Sequence, residues 1–131
     1  MQKIYLIFFL CLVFYGCKKN PLDYRTKFLG EYNFEIYQTS WWHSGPRPDT
    51  NYISEGKIEI ASEDRIEIFL SKNLSSGIKV SVYEDGSIAD CECDYHAGLN
   101  GEFESTNKIK FIYGYHGLGS GFTSNVKGNK K

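Results

Sequence analysis

The stretch Lys57-Ile58-Glu59-Ile60-Ala61-Ser62-Glu63-Asp64-Arg65-Ile66-Glu67-Ile68-Phe69-Leu70 decides the fold. Ile58 and Ile60 alternate with Lys57 and Glu59, and the alternation resumes with Ile66, Ile68 and Leu70, the two-residue period of strands with one dry face and one wet face. Ser62-Glu63-Asp64-Arg65 separates the halves and is long enough only for a turn, so the stretch predicts an antiparallel pair. The same period extends in both directions. Before it, Tyr32, Phe34 and Ile36 alternate with Asn33 and Glu35. After it come Ile78, Val80 and Val82, then Asp85-Gly86, a turn pair suited to positive φ, and a fifth strand opening at Ile88. Leu99, Gly101 and Phe103 share one face of a sixth strand. Ile109, Phe111, Tyr113 and Tyr115 make a seventh, and Phe122, Ser124 and Val126 an eighth. Ten Tyr, nine Phe and two Trp agree with strands rather than helices.

These strands follow one another with short connections and no crossover-length helix. The expected fold is all-β: an eight-stranded antiparallel up-and-down meander closed as a barrel, which leaves no exposed edge. A two-sheet β-sandwich is the alternative, because periodicity fixes the faces of strands and not their closure. Tyr24 and Phe28 stand four apart, with Leu29 and Gly30 following, which suits a short N-terminal helix capping one barrel end.

The N-terminus reads as an address. Lys3 precedes an unbroken apolar run from Ile4 to Tyr15, shorter than the roughly 20 residues that cross a bilayer, and so a cleaved signal helix rather than a span. Phe14-Tyr15-Gly16-Cys17 resembles the lipobox of bacterial lipoproteins, matching it at Gly16 and Cys17. That resemblance implies a signal peptide over 1-16, lipidation at Cys17, a lipidated tether over 17-23 and a β-barrel domain over 24-131. Several acyl chains make such an anchor effectively permanent. No Asp follows Cys17, which by resemblance to sorting rules implies the outer membrane of the cell envelope, facing the periplasm, with the cell surface as the alternative. Cleavage would leave 115 of the 131 residues, enough for one domain that folds without a metal or disulfide framework. The loss of Lys3 leaves 14 basic against 16 acidic side chains, a balance that argues against nucleic acid as a partner.

Phe28-Leu29-Gly30-Glu31-Tyr32-Asn33-Phe34 resembles the opening of lipocalin-like and fatty-acid-binding-protein-like domains, where a Gly-x-aromatic motif starts the first barrel strand. Gly117-Leu118-Gly119-Ser120-Gly121 and the basic tail resemble the ending of small bacterial lipoproteins with such a domain. The resemblance implies a barrel that holds a small apolar or amphipathic ligand. An eight-stranded barrel is just wide enough for one small ligand or for its own side chains. The inward set, Phe34, Ile36, Ile58, Ile60, Ile66, Ile68, Leu70, Ile78, Val80, Val82, Phe103, Phe111 and Tyr113, is bulky enough to fill it. A mouth would be rimmed by Trp41, Trp42 and a long loop from Ser44 to Asn51, and Trp41, Trp42, Tyr113 and Tyr115 are the expected ligand-binding residues. Adjacent Trp41 and Trp42 face opposite sides of a strand, so one of the pair serves as core.

Asp90-Cys91-Glu92-Cys93-Asp94-Tyr95-His96 is the densest chemical cluster. Cys91, Cys93 and His96 are weak candidates for zinc, with His43 or His116 as a fourth ligand, since no second cysteine pair exists. A Cys91–Cys93 disulfide is disfavoured: on an extended strand their α-carbons stand about 6.5 Å apart, at the limit of disulfide geometry. Two small side chains on one face is the plainer reading. Asp90, Glu92 and Asp94, with Glu102 and Glu104, form a solvated acidic face more readily than a calcium site. The glycines at 117, 119 and 121 lack the following helix of a phosphate loop. They suit a tight turn with aromatic rings laid over the backbone. There is no Gly-x-Ser-x-Gly and no His-Glu-x-x-His, and the three histidines are dispersed. The sequence thus predicts no enzyme and no cofactor. Two function classes remain: a lipid-anchored carrier of a small ligand, or an anchored module with a filled barrel that docks an envelope protein through outward residues such as Phe69, Tyr83 and Ile112 or through the Trp41-Trp42 loop.

Overall fold

The computed structural model describes residues 23–92 and 98–131. The expected signal segment, the expected lipidation site Cys17, Cys93 and His96 lie outside the described residues, as does the side chain of Cys91.

A 3-10 helix (Tyr24–Phe28) leads into nine strands: β1 (Gly30–Trp42), β2 (Gly45–Pro46), β3 (Thr50–Ile60), β4 (Arg65–Phe69), β5 (Ile78–Val82), β6 (Ser87–Glu92), β7 (Gly98–Ser105), β8 (Lys108–His116) and β9 (Ser120–Lys130). Each barrel strand pairs antiparallel with the next, and β9 returns to β1 from Tyr32↔Lys130 to Trp42↔Ser120. That last pairing closes β1 and β3 to β9 into an eight-stranded barrel and excludes the sandwich. β2 is additional and pairs with the end of β1. Within the segment expected as a long loop from Ser44 to Asn51, Gly45 and Pro46 form the return arm of this hairpin opposite Trp42 and Trp41, Arg47 N–H donates to Ser40 O at 2.9 Å, and Thr50 and Asn51 already open β3. Pro46 and Pro48 hide the arm in the sequence, since proline cannot donate to a ladder.

Alternation along each strand fills the closed half of the barrel. Phe34, Ile36, Ile58, Ile66, Ile68, Val80, Val82, Phe103 and Phe111 are buried as their period requires, joined by Tyr32, Ile88, Ile109 and Val126. Ile60 departs from the expected inward set: it ends β3 and is 43% exposed. Phe69, expected on the outside, is buried there, with the Lys57 ammonium 5.0 Å from its ring centroid. At the β5–β6 turn Gly86 has φ +90°, and Asp85 accepts from Ser87 N–H at 2.8 Å and from its hydroxyl.

The 3-10 helix plugs the end at which β1 begins. Its three-residue turn sets Arg25 and Phe28 on one buried face. Phe28 stacks on Phe103 with centroids 4.0 Å apart, and Tyr32 donates its hydroxyl hydrogen to Phe28 O at 2.8 Å. Arg25 donates to Ser62 O at 2.7 Å and Arg65 O at 3.1 Å while pairing with Asp23, and Tyr24 donates to Val82 O at 2.6 Å. The other end is cut obliquely. β8, β9 and β1 run 9, 11 and 13 residues, whereas β4 and β5 run five each. A tall wall therefore stands above a short one and presents its upper inner face to the mouth.

Candidate functional site on the tall wall

The register carries the inward face of β1 upward from Phe34 and Ile36 to Gln38, Ser40 and Trp42. Ser124 and Phe122 stand opposite Gln38 and Ser40 on β9, and Tyr113 and Tyr115 opposite these on β8. Tyr52 on β3 lies opposite Ile36 and shares the face. The character of the wall changes at this level. Below it the inward side chains are apolar apart from the Tyr32 phenol; at it stand the Gln38 amide, the Ser124 hydroxyl and the Tyr113 phenol, with Ser40, Phe122, Tyr115 and Trp42 above. Tyr113 is half-buried, edge-on to Phe122 with centroids 5.6 Å apart at 79°, and tilted against Phe111 at 6.1 Å. Burial pushes the Tyr113 phenol above its ordinary value, with the neighbouring Ser124 hydroxyl pulling the other way and Tyr52 nearby adding to the rise. Ser124 itself is fully buried, and its Oγ has no hydrogen-bond partner. The two hydroxyls are neighbours that fall short of a well-formed hydrogen bond. A buried hydroxyl left without a partner costs about 1–3 kcal/mol.

The expected ligand residues divide between the two faces. Tyr113 and Tyr115 lie on the inner face and both are half-buried. Trp42 shares that face at the rim, 50% exposed, with the Arg47 guanidinium 4.3 Å from its ring centroid. Trp41 faces outward and is 37% exposed, its indole over Gly121, where an added Cβ would fall 2.7 Å from the ring nitrogen; the Trp pair splits between the two faces, but contrary to expectation neither member is core. Tyr115 covers Gly117 in the same way, and the His43 ring covers Gly119. The three glycines thus let rings lie flat on the β8–β9 hairpin and do not form a phosphate cradle. His43 N–H donates to Gly119 O at 3.0 Å, joining the two hairpins into one lip. Leu118 at its tip is wholly exposed.

Gln38 was missed by hydrophobic periodicity, because a polar residue at an inward position breaks the pattern that locates strands, and Ser124, read on the eighth strand with Phe122 and Val126, was not among the expected ligand-binding residues. The signal that finds them is register with Tyr113. Glu102 and Glu104, the described part of the acidic face, both pair with Lys110 at 2.9 Å. Among the described residues no three His, Cys, Asp or Glu side chains converge as a metal site.

No known family model, curated protein or solved structure matches this chain.

Proposed function

We propose that this chain is a lipid-anchored protein of the cell envelope whose tall wall receives a small amphipathic ligand. The observation that carries the reading is the Ser124 hydroxyl, buried inside the barrel without a partner, one inward position above Val126 and Ile36 of the apolar core. An alanine there would avoid the cost if the position only filled space. A ligand with a hydroxyl, carboxyl or amide would satisfy Ser124 and Gln38 and lay its apolar part on Phe122, Tyr113 and Trp42. The filled closed half limits that apolar part to a short chain or single ring. The anchor at Cys17 and the outer-membrane location rest on the lipobox resemblance.

Native mass spectrometry of the protein purified from its own host tests this. The expected result is a co-purifying small molecule whose retention falls about tenfold in Ser124→Ala, a loss of roughly 1.4 kcal/mol of binding. Acyl chains on Cys17 and release of Cys17→Ser from the membrane fraction are expected alongside. An empty protein, with no change in Ser124→Ala beyond a small gain in stability, refutes the carrier. The exposed lip of Trp42 and Leu118 favours a second reading, docking of an envelope protein. A cross-link through that lip from an otherwise empty barrel would support it.

A further inference from the structure

The outer wall of the barrel carries a second feature unconnected with the mouth. Ile112 on β8 stands between Asn100 on β7 and Asn125 on β9. Tyr37 on β1 stands between Asn125 and Asn51 on β3. One outward row across five strands therefore reads Asn100, Ile112, Asn125, Tyr37, Asn51. Four inter-strand steps give it a length of about 19 Å. Two depressions follow the row. One, of about 480 Å³, is lined by Glu35, Tyr37, Asn51, Asn125 and Lys127. The other, of about 240 Å³, includes Asn100, Ile112 and Asn125, and the two share Asn125 and Lys127.

The row differs from its neighbours in how its polar groups are satisfied. In the next row Lys110 is held by Glu102 and Glu104. The side-chain amides of Asn51, Asn100 and Asn125 are all exposed and none forms a hydrogen bond among the described residues. Each offers two N–H donors and a carbonyl acceptor. Tyr37 is 41% exposed and donates its hydroxyl hydrogen to the Asp49 carboxylate, which fixes the ring while leaving it accessible. Ile112, 51% exposed, supplies a second apolar spot two strands away.

From this we infer that the outer wall binds a neutral oligosaccharide along the row. The row itself has no formal charge; around it Glu35 faces Lys127, Asp49 sits at the Tyr37 hydroxyl, and Lys110 is held by Glu102 and Glu104, so acidic and basic groups offset one another and give an anion or a cation little net attraction. The edge of β3 above Lys57 has no ladder partner among the described residues, but a peptide added there would run along that strand and not across the row. The groups presented are amides at a repeating spacing with apolar spots between them. That matches hydroxyls alternating with the C–H faces of pyranose rings.

The test uses the ¹⁵N-labelled full chain in detergent micelles. It is titrated with hexasaccharides of β-1,4-linked glucose, β-1,4-linked N-acetylglucosamine and α-1,4-linked glucose, and with heparin as the anionic control. The expected result is that at least one neutral hexasaccharide shifts the side-chain amide resonances of Asn51, Asn100 and Asn125. Its affinity should be unchanged by 0.5 M salt, about tenfold weaker in Tyr37→Ala and clearly weaker in Asn125→Ala. Ser124→Ala is expected to bind it normally, which separates this site from the mouth. No shift with any neutral hexasaccharide overturns the inference, as does undiminished binding in Asn125→Ala or binding confined to heparin and lost in salt.

Discussion

Tyr32 and Ser124 are both fully buried hydroxyl residues in the barrel wall, and they are satisfied in opposite ways. Tyr32 spends its hydrogen on Phe28 O; Ser124 has no partner. Burial raises the Tyr32 phenol from 10.0 to about 12. The folded state therefore holds this proton more tightly than the unfolded chain does. The stabilisation is complete below pH 10 and is lost as pH rises through about 12, a range worth about 3 kcal/mol for a two-unit shift. Tyr32→Phe is expected to cost about 1 kcal/mol at neutral pH through the lost hydrogen bond. Its urea midpoint should then fall less steeply between pH 10 and 12 than that of the parent chain, and denaturation at a series of alkaline pH values reads the difference. Periodicity revealed that Tyr32 faces inward. It could not reveal which carbonyl meets the hydroxyl, because Phe28 belongs to a different element.

At the scale of elements, the N-terminal plug shows how a packed partner changes a local preference. Tyr24 and Phe28, four apart, suit one face of an α-helix. The chain instead forms a 3-10 turn whose tighter period brings Arg25 inward with Phe28. Arg25 reaches two carbonyls of the β3–β4 connection, Ser62 O and Arg65 O. That connection lies about forty positions along the chain, so no local pattern announces it. Arg25→Ala removes these bonds from a buried site and is expected to destabilise the protein by about 2–3 kcal/mol, measured by urea denaturation. Hydrogen exchange of the β3–β4 turn should quicken in the same variant while that of the β8–β9 pairing stays slow. The hairpin at Trp41 and Trp42 makes the complementary point. Their alternation was legible, but Pro46 and Pro48 concealed the arm that pairs with them.

For the whole molecule, closure turns the polar faces of the strands outward, and several of the described carboxylates there are held by cations or hydrogen-bond donors. Asp23 is held below its ordinary 3.8 by its hydrogen bonds from Arg25, and Asp85 by those from Ser87. Glu55 is held below 4.5 by Lys131 and Lys72, and Glu104 by Lys110. Each is depressed on folding, so the unfolded chain binds more protons in acid. Stability is expected to be level from pH 7 to about 5 and to fall as pH drops below about 4.5 through the depressed values. Thermal melting across pH 7 to 2.5 checks this. The part of the acid loss that comes from Glu55 and Glu104 should shrink in 1 M salt, because their ion pairs with Lys72, Lys131 and Lys110 are exposed and screened.

The sequence alone determined the class of structure and the eight strands of the barrel, though not the added β2, because a two-residue hydrophobic period is a local property that each barrel strand carries within itself. Ile58, Ile60, Ile66 and Ile68 needed no distant partner to be read as paired strands. Tertiary structure decided what depends on residues far apart in the chain. β9 returning to β1 made the sheet a barrel and not a sandwich, and Lys57 covered Phe69. Unequal strand lengths raised one wall above the other, and register brought Gln38, Ser124 and Tyr113 to one level. Both candidate surfaces are side chains from three or more strands aligned across hydrogen-bonded ladders, and that alignment exists only once the ladders have formed.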